Sequence, residues 1–268
     1  MSSLLAGVLA DVDRTIARML ERLASRGFQA KAILDIGCWD GSHTERYART
    51  FGAQAHGIEI FPAPAAQAEA RGVRVARLDL ETERFPWPDR SMDVVVSNQV
   101  FEHLKNVWTP MSEACRVLRP GGYLAISVPN LASLHNRVLL ALGRQPTSIR
   151  TLGPHVRGYT LGELARFVSL DGAYAVERKV GVGFYPFPAS FARPFAAVWP
   201  GAAHTSIVLA RKLEGAPTAP WLEWFRREQA GGLQTFYEGA AAPSAVATSP
   251  DGTVAGEPAD RHAESPRS

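Results

Sequence analysis

Ile33-Leu34-Asp35-Ile36-Gly37-Cys38-Trp39-Asp40-Gly41 is the stretch that decides the fold. Residues 32–36 form a short β-branched and apolar run. A turn with two glycines follows, and residues 44–51 then carry the composition of a helix. Strand, glycine turn and helix in that order make a ligand-binding corner. Glycine lets the backbone come close to a bound group, and the free N–H groups of the following helix face outward. A glycine turn alone is a weak signal, because such turns also occur with nothing bound.

The same rhythm continues on either side. Upstream, Val12, Ile16, Met19, Leu20 and Leu23 fall at helical spacing, which predicts an amphipathic helix over residues 11–25 ending at Gly27. Downstream, β-runs are expected at 56–60, 73–77, 93–97 and 123–128, with a helix over 109–118. Arg119-Pro120-Gly121-Gly122 stops that helix and turns the chain. Val94-Val95-Val96 is apolar on both faces, as a buried central strand should be. Strands alternating with helices imply an α/β fold with parallel strands joined by right-handed crossovers.

After Pro129 the rhythm changes. Residues 130–157 read as an insert, helical around 134–142. Thr160 with Glu163 forms a capping box that opens a helix to residue 168. Two late β-runs lie at 173–180 and 206–211. Between them, residues 184–199 hold six aromatics and three prolines and fit neither a regular strand nor a clean helix. A short helix is expected over 221–229. From Gly231, Ala, Pro, Ser and Gly dominate, which predicts a disordered tail. The organisation expected is an N-terminal helix over 1–28, one domain over 29–213 with an insert at 130–160 and an aromatic segment at 184–202, and an extension over 214–268.

Composition excludes little but is consistent with this. The chain has 268 residues, 46% hydrophobic and 21% charged, with a net charge of +3. No block of Lys or Arg suggests nucleic acid as a partner. Cys38 and Cys115 form no disulfide framework and lack metal-ligand spacing, so both read as small buried apolar residues and no metal is expected. Without a signal peptide or an apolar run long enough to span a bilayer, the chain is expected in the cytoplasm.

Two acids strengthen the corner. Glu59 falls at the end of the second β-run, where a carboxylate can accept from both ribose hydroxyls. Asp79-Leu80 follows the third run; the carboxylate suits an exocyclic amine, and Leu80 with Ile60 can flank a purine ring. Asp35, Glu59 and Asp79 at the ends of successive strands converge on the crevice where open α/β sheets bind ligands. A dinucleotide would want Gly-x-Gly-x-x-Gly, but Trp39 occupies the second glycine position, and no P-loop lysine follows.

These blocks resemble class I S-adenosylmethionine-dependent methyltransferases. The likeness rests on residues 35–41, Glu59, Asp79-Leu80, Phe85-Pro86-Trp87-Pro88-Asp89-Arg90-Ser91-Met92-Asp93, Asn98-Gln99-Val100-Phe101-Glu102-His103-Leu104 and Arg116-Val117-Leu118-Arg119-Pro120-Gly121-Gly122, in the family's order. The resemblance implies a Rossmann-like, seven-stranded, mostly parallel sheet with one reversed strand and helices on both faces. It implies S-adenosyl-L-methionine as cofactor. Asp35, Gly37, Trp39 and Gly41 would shape its methionine end, Glu59 and Ile60 its ribose, Asp79 and Leu80 its adenine, and Asn98, Gln99 and Val100 the floor. Trp39 stands where the family more often has glycine.

Methyl transfer from a sulfonium is an in-line displacement in which the protein aligns the groups and excludes water. An oxygen or nitrogen acceptor can also need a base, for which His103 and His155 are the candidates. Arg157 and Tyr159 would flank the acceptor, a small molecule, a lipid or a cell-envelope glycan. The aromatic segment would form a lid, a packed loop, or a patch resting on the inner face of a membrane.

Gly57-Ile58-Glu59-Ile60, Pro129-Asn130 and Gly143-Arg144-Gln145-Pro146 resemble instead a methyltransferase-fold family tied to methionine biosynthesis. That likeness implies an alternative function as a partner subunit with little or no catalysis. His155-Val156-Arg157-Gly158-Tyr159-Thr160 is similar to a segment of quinone and glycan methyltransferases. The intact blocks at 101–104 and 119–122 favour an enzyme.

Overall fold

The computed structural model describes residues 3–185, 187 and 189–230. The expected disordered tail, from residue 231, lies outside the described residues. A helix, α1 (Ser3–Ser25), precedes a regular alternation: β1 (Ala32–Ile36), α2 (Ser42–Arg49), β2 (Gln54–Ile58), α3 (Pro62–Ala70), β3 (Arg74–Ala76), β4 (Met92–Asn98), α4 (Trp108–Val117) and β5 (Leu118–Pro129). The second half adds α5 (Leu134–Ala141), α6 (Leu161–Val168), β6 (Tyr174–Val182), α7 (Ala189–Val198), β7 (Thr205–Lys212) and α8 (Pro220–Ala230).

The strands form one seven-stranded sheet in the order β3-β2-β1-β4-β5-β7-β6. The first five run parallel. β7 lies antiparallel to both β5 and β6, so it is the single reversed strand. The expected architecture is therefore the one observed.

Alternation along each strand sends neighbouring side chains to opposite faces. Ile33, Val94, Val96, Ala125, Ile207 and Leu209 meet the apolar stripe of α1 and Tyr47 of α2. Leu34, Ile36, Val95, Leu124, Ile126 and Val208 meet α4 and α6 on the other face, with Trp221 of α8. Both faces of β4 are covered, which is why Val94-Val95-Val96 is uniformly apolar.

The reversed strand also closes a helix end. Buried Lys212 donates from Nζ to the carbonyls of Cys115 (2.6 Å) and Leu118 (2.8 Å), where α4 stops. A cation there satisfies orphan carbonyls and complements the helix dipole. Cys38 and Cys115 are buried free thiols, as read from their neighbours.

Three local differences from the sequence reading stand out. β2 begins and ends two residues earlier than expected. α3 was not foreseen. The aromatic stretch, read as irregular, contains α7, which keeps Pro194 inside it. Its buried face is Ala192 and Ala196, while Phe191, Phe195 and Val198 remain exposed. Among the described residues, no helix is long and apolar enough to cross a membrane.

Candidate active site

The strand order reverses direction between β1 and β4, and the crevice at their carboxyl ends is the switch point where such sheets bind ligands. Asp35, at the end of β1, is buried and accepts from Thr44 Oγ1 at 2.6 Å. Burial outweighs that bond and the nearby His43, and it pushes the carboxyl up to about 6.

The turn after β1 is packed to contact. A Cβ on Gly37 would lie 2.6 Å from Val100, and one on Gly41 would lie 2.8 Å from the Ala68 backbone; both glycines have φ +75°. Gly37 thus brings the first turn against the loop after β4, and Gly41 seats the start of α2 on α3. Trp39 itself takes a left-handed conformation, φ 48°. The backbone turns as it would with the glycine more usual there, and the indole is turned outward, 60% exposed, edge-on to Phe61 at 6.2 Å.

Glu59, buried just past β2, ties two loops together. Trp39 N donates to Oε2 at 3.1 Å and Phe61 N donates to Oε1 at 2.9 Å. Each carboxylate oxygen retains a lone pair for a further donor. Ile60 and Phe61 beside it are large apolar side chains left more than half exposed. Half-buried Asp79 accepts from Glu81 N at 2.8 Å, with Leu80 packed against the core next to it. Beneath, Ser127 Oγ donates to Asn98 Oδ1 at 2.6 Å, and Gln99, also left-handed at φ 59°, donates from its N to Ser127 O at 3.0 Å.

Residues 34–126 match the family model described as a methyltransferase domain. That stretch, and not the whole chain, is similar to a methyltransferase domain. A protein of Mycolicibacterium smegmatis named a probable S-adenosylmethionine-dependent methyltransferase is 34% identical over 163 residues, covering 60% of this chain and 58% of that one. The 27-O-demethylrifamycin SV methyltransferase of Amycolatopsis mediterranei is 32% identical over 138 residues, 47% of this chain and 50% of that one. The chain spans about half the length of the curated relatives it matches. Among solved structures, the N-methyltransferase NodS of Bradyrhizobium japonicum aligns with a TM-score of 0.51 at 17% identity, covering 76% of this chain and 88% of that one. A methyltransferase of Mesorhizobium loti gives 0.51 at 21% identity, covering 75% and 98%. At such identities the structural likeness shows the fold alone.

S-adenosylmethionine is the cofactor in the name of the Mycolicibacterium relative, and the residues at the crevice fit it. A carboxylate with spare lone pairs sits among exposed apolar side chains, as a ribose beside a purine would require.

Beside this crevice lies a cavity of about 560 Å³. Gln99, Glu102 and His103 line it from the β4 side, and Pro154 and His155 line it from the insert. The two walls are stapled by backbone: Val156 N and Arg157 N both donate to Glu102 O, at 2.9 and 3.2 Å. The His103 and His155 rings consequently stand 4.7 Å apart. Burial, with His155 nearby, lowers the His103 pKa.

The other two residues read as flanking the acceptor lie elsewhere. Arg157 stacks over Trp108 at 4.7 Å and donates from Nη2 to Lys105 O at 2.6 Å, holding the insert down. Tyr159 is buried in the core beside Phe167. Neither lines the cavity.

The sequence reading missed Glu102, His135, Asn136, Ser148 and His204, which do line it. Glu102 is 1% exposed, and neither carboxyl oxygen has a hydrogen-bond partner. Burial pushes its pKa up to about 8. An acid directly between Phe101 and His103 was the available signal. Glu102, His103 and His155 gather with ligand atoms within 4.8 Å of one another, a grouping that their spacing along the chain does not show.

Proposed function

We propose that the chain transfers a methyl group from S-adenosylmethionine to a hydroxyl oxygen of a small, partly apolar molecule. The observation that carries this is the cavity beside the cofactor crevice. Its volume is that of a site for a drug-sized ligand. One wall carries two imidazoles and a carboxyl, groups that orient a hydroxyl and help remove its proton. Pro129, Leu152 and Leu9 make other parts of the lining apolar. The cofactor supplies an electrophilic methyl on a sulfonium; this chain's residues hold the acceptor in line and keep water out. The Amycolatopsis relative, whose name specifies an O-demethylated small molecule, supports the same class.

A lipid acceptor is the second reading. Tyr185 lies 5.1 Å from His135, a cavity residue, and leads into exposed Phe187, Phe191, Phe195, Val198 and Trp199. A contiguous apolar surface of this kind suits the interface of a membrane, on which the protein would rest peripherally.

The test begins with calorimetric titration using S-adenosylmethionine, S-adenosylhomocysteine and NAD. Micromolar binding of the first two, about −8 kcal/mol, and none of NAD is expected. Glu59→Ala should weaken cofactor binding by about 1–3 kcal/mol, the scale of lost charge-assisted bonds. Methyl-labelled cofactor is then incubated with aqueous metabolites and with extracted lipids. Label in the aqueous fraction supports the first reading, and label in lipid supports the second. Cofactor binding with label in neither overturns the proposed activity.

A further inference from the structure

Among the described residues, Glu102 is the buried carboxyl that lacks any hydrogen bond. Both oxygens are shut off from solvent, and the nearest group of opposite character is His103, whose Nε2 lies 3.9 Å from Oε1. An ionised carboxylate so placed is costly unless a cation meets it, and no Lys or Arg side chain does. What meets it instead is a pair of imidazoles.

Each imidazole is held by its other nitrogen. His155 Nδ1 lies 2.9 Å from Ser148 O, and His103 Nδ1 lies 3.4 Å from Pro154 O. A carbonyl can only accept, so each Nδ1 carries the proton and each Nε2 keeps its lone pair. Metal-ligating histidines are commonly held in this way, with the distal N–H fixed on a backbone carbonyl and the free nitrogen facing the ion.

We propose that Glu102, His103 and His155 form a binding site for a divalent transition-metal ion in the wall of the acceptor cavity. Two imidazoles and one carboxylate suit zinc, manganese, iron(II) or cobalt(II), and leave coordination positions open. Ligands at about 2.1 Å from such an ion lie about 3–3.4 Å from one another. The three groups, now within 4.8 Å, therefore close by roughly an ångström as the ion enters. His103 is exposed and the insert residue His155 half-buried, so both have room for that shift.

The open positions face the cavity and take an oxygen of the acceptor. With the ion held by these three side chains, a coordinated hydroxyl would be acidified as a bound water is; its proton would pass to solvent water at the cavity mouth, and the oxygen would bond to the methyl carbon as the methyl–sulfur bond breaks. This role for the open positions rests on the methyl-transfer reading; the ion site itself does not.

The test uses the full, untagged chain, titrated calorimetrically with Zn²⁺ and followed with Co²⁺ in visible absorption. Expected is one ion per chain at micromolar affinity or tighter, with Co²⁺ bands of a low-coordinate nitrogen and oxygen site. Glu102→Gln and His155→Gln should each weaken binding more than about 100-fold, beyond the loss from removing an outer contact. Glu102→Gln keeps the side-chain length and removes an anionic ligand; should it fail to fold, His155→Gln on the insert decides. Titration of the same proteins with S-adenosylmethionine separates the two readings. Wild-type protein that binds cofactor but no ion overturns the metal site and leaves methyl transfer standing, and binding of the ion alone does the reverse. Ion binding unchanged in both variants places the ion elsewhere and overturns the assignment.

Discussion

Trp39 shows what the cofactor turn demands of a single residue. A non-glycine residue in the left-handed region costs about 1–2 kcal/mol, and Trp39 bears that cost at φ 48° with its ring largely in solvent. Trp39→Gly removes the strain but adds unfolded-state entropy, so a net gain of up to about 1 kcal/mol in urea unfolding is expected. A loss of stability would mean that the Trp39–Phe61 contact outweighs the strain. Asp35 carries a second cost, visible in pH. Its carboxyl is raised from 3.8 to about 6 in the fold. Between those values the native state holds a proton that the unfolded chain has released, so stability falls as pH rises through this window and stays lower above it. Asp35→Asn keeps an acceptor for Thr44 and abolishes the fall. The stability difference between variant and wild type should grow by about 2 kcal/mol from pH 4 to pH 7; a constant difference would refute the assignment. Both residues were legible in the sequence because they sit inside one continuous block. His155 was legible as a candidate base, but its meeting with Glu102 was not, because that depends on two backbone bonds between segments far apart in the chain.

At the scale of elements, strands were read well because their apolar runs are buried on two faces, and helices were read well where Leu, Ile or Val marks the stripe. The helices that escaped are packed by alanine. α3 buries only Ala65 and Ala68, and α7 turns Ala192 and Ala196 inward while its aromatics face out. Periodicity weighted by hydrophobicity is faint in the first and inverted in the second. The shift of β2 has a related origin. Ile60 extended the expected strand, yet Ile60 lies past its end, exposed beside Glu59; its apolarity suits a ligand more than the core. Local capping chemistry was more dependable. Thr160 Oγ1 accepts from Glu163 N at 3.2 Å and starts α6, as its spacing indicated. Thr160→Ala should cost about 1 kcal/mol in a thermal or urea melt. An unchanged midpoint would mean that tertiary packing alone sets where α6 begins.

Over the whole molecule, the core does not stop at β7. Trp221, the largest fully buried side chain, sits against Tyr174 and Phe167 and donates from Nε1 to Phe167 O at 2.6 Å. Phe225 stacks on Trp108 at 4.2 Å. Residues read as the start of an extension thus close the α4–α6 face. Trp221→Ala should destabilise the entire domain by about 3–5 kcal/mol, with near-UV and far-UV signals lost together; loss confined to the tryptophan signal would make α8 an appendage. The reversed strand has a further effect, in time. β7 fills the gap between β5 and β6, so until it arrives β5 has a bare edge and β6 has no partner. The ~80 residues from Pro129 to Lys212 emerge over roughly 4–16 s at about 5–20 residues per second. Through that interval the nascent chain presents Leu124-Ala125-Ile126 as an open template for a neighbouring strand. The order in which the strands are made thus leaves a sheet edge uncovered until the last of them is complete.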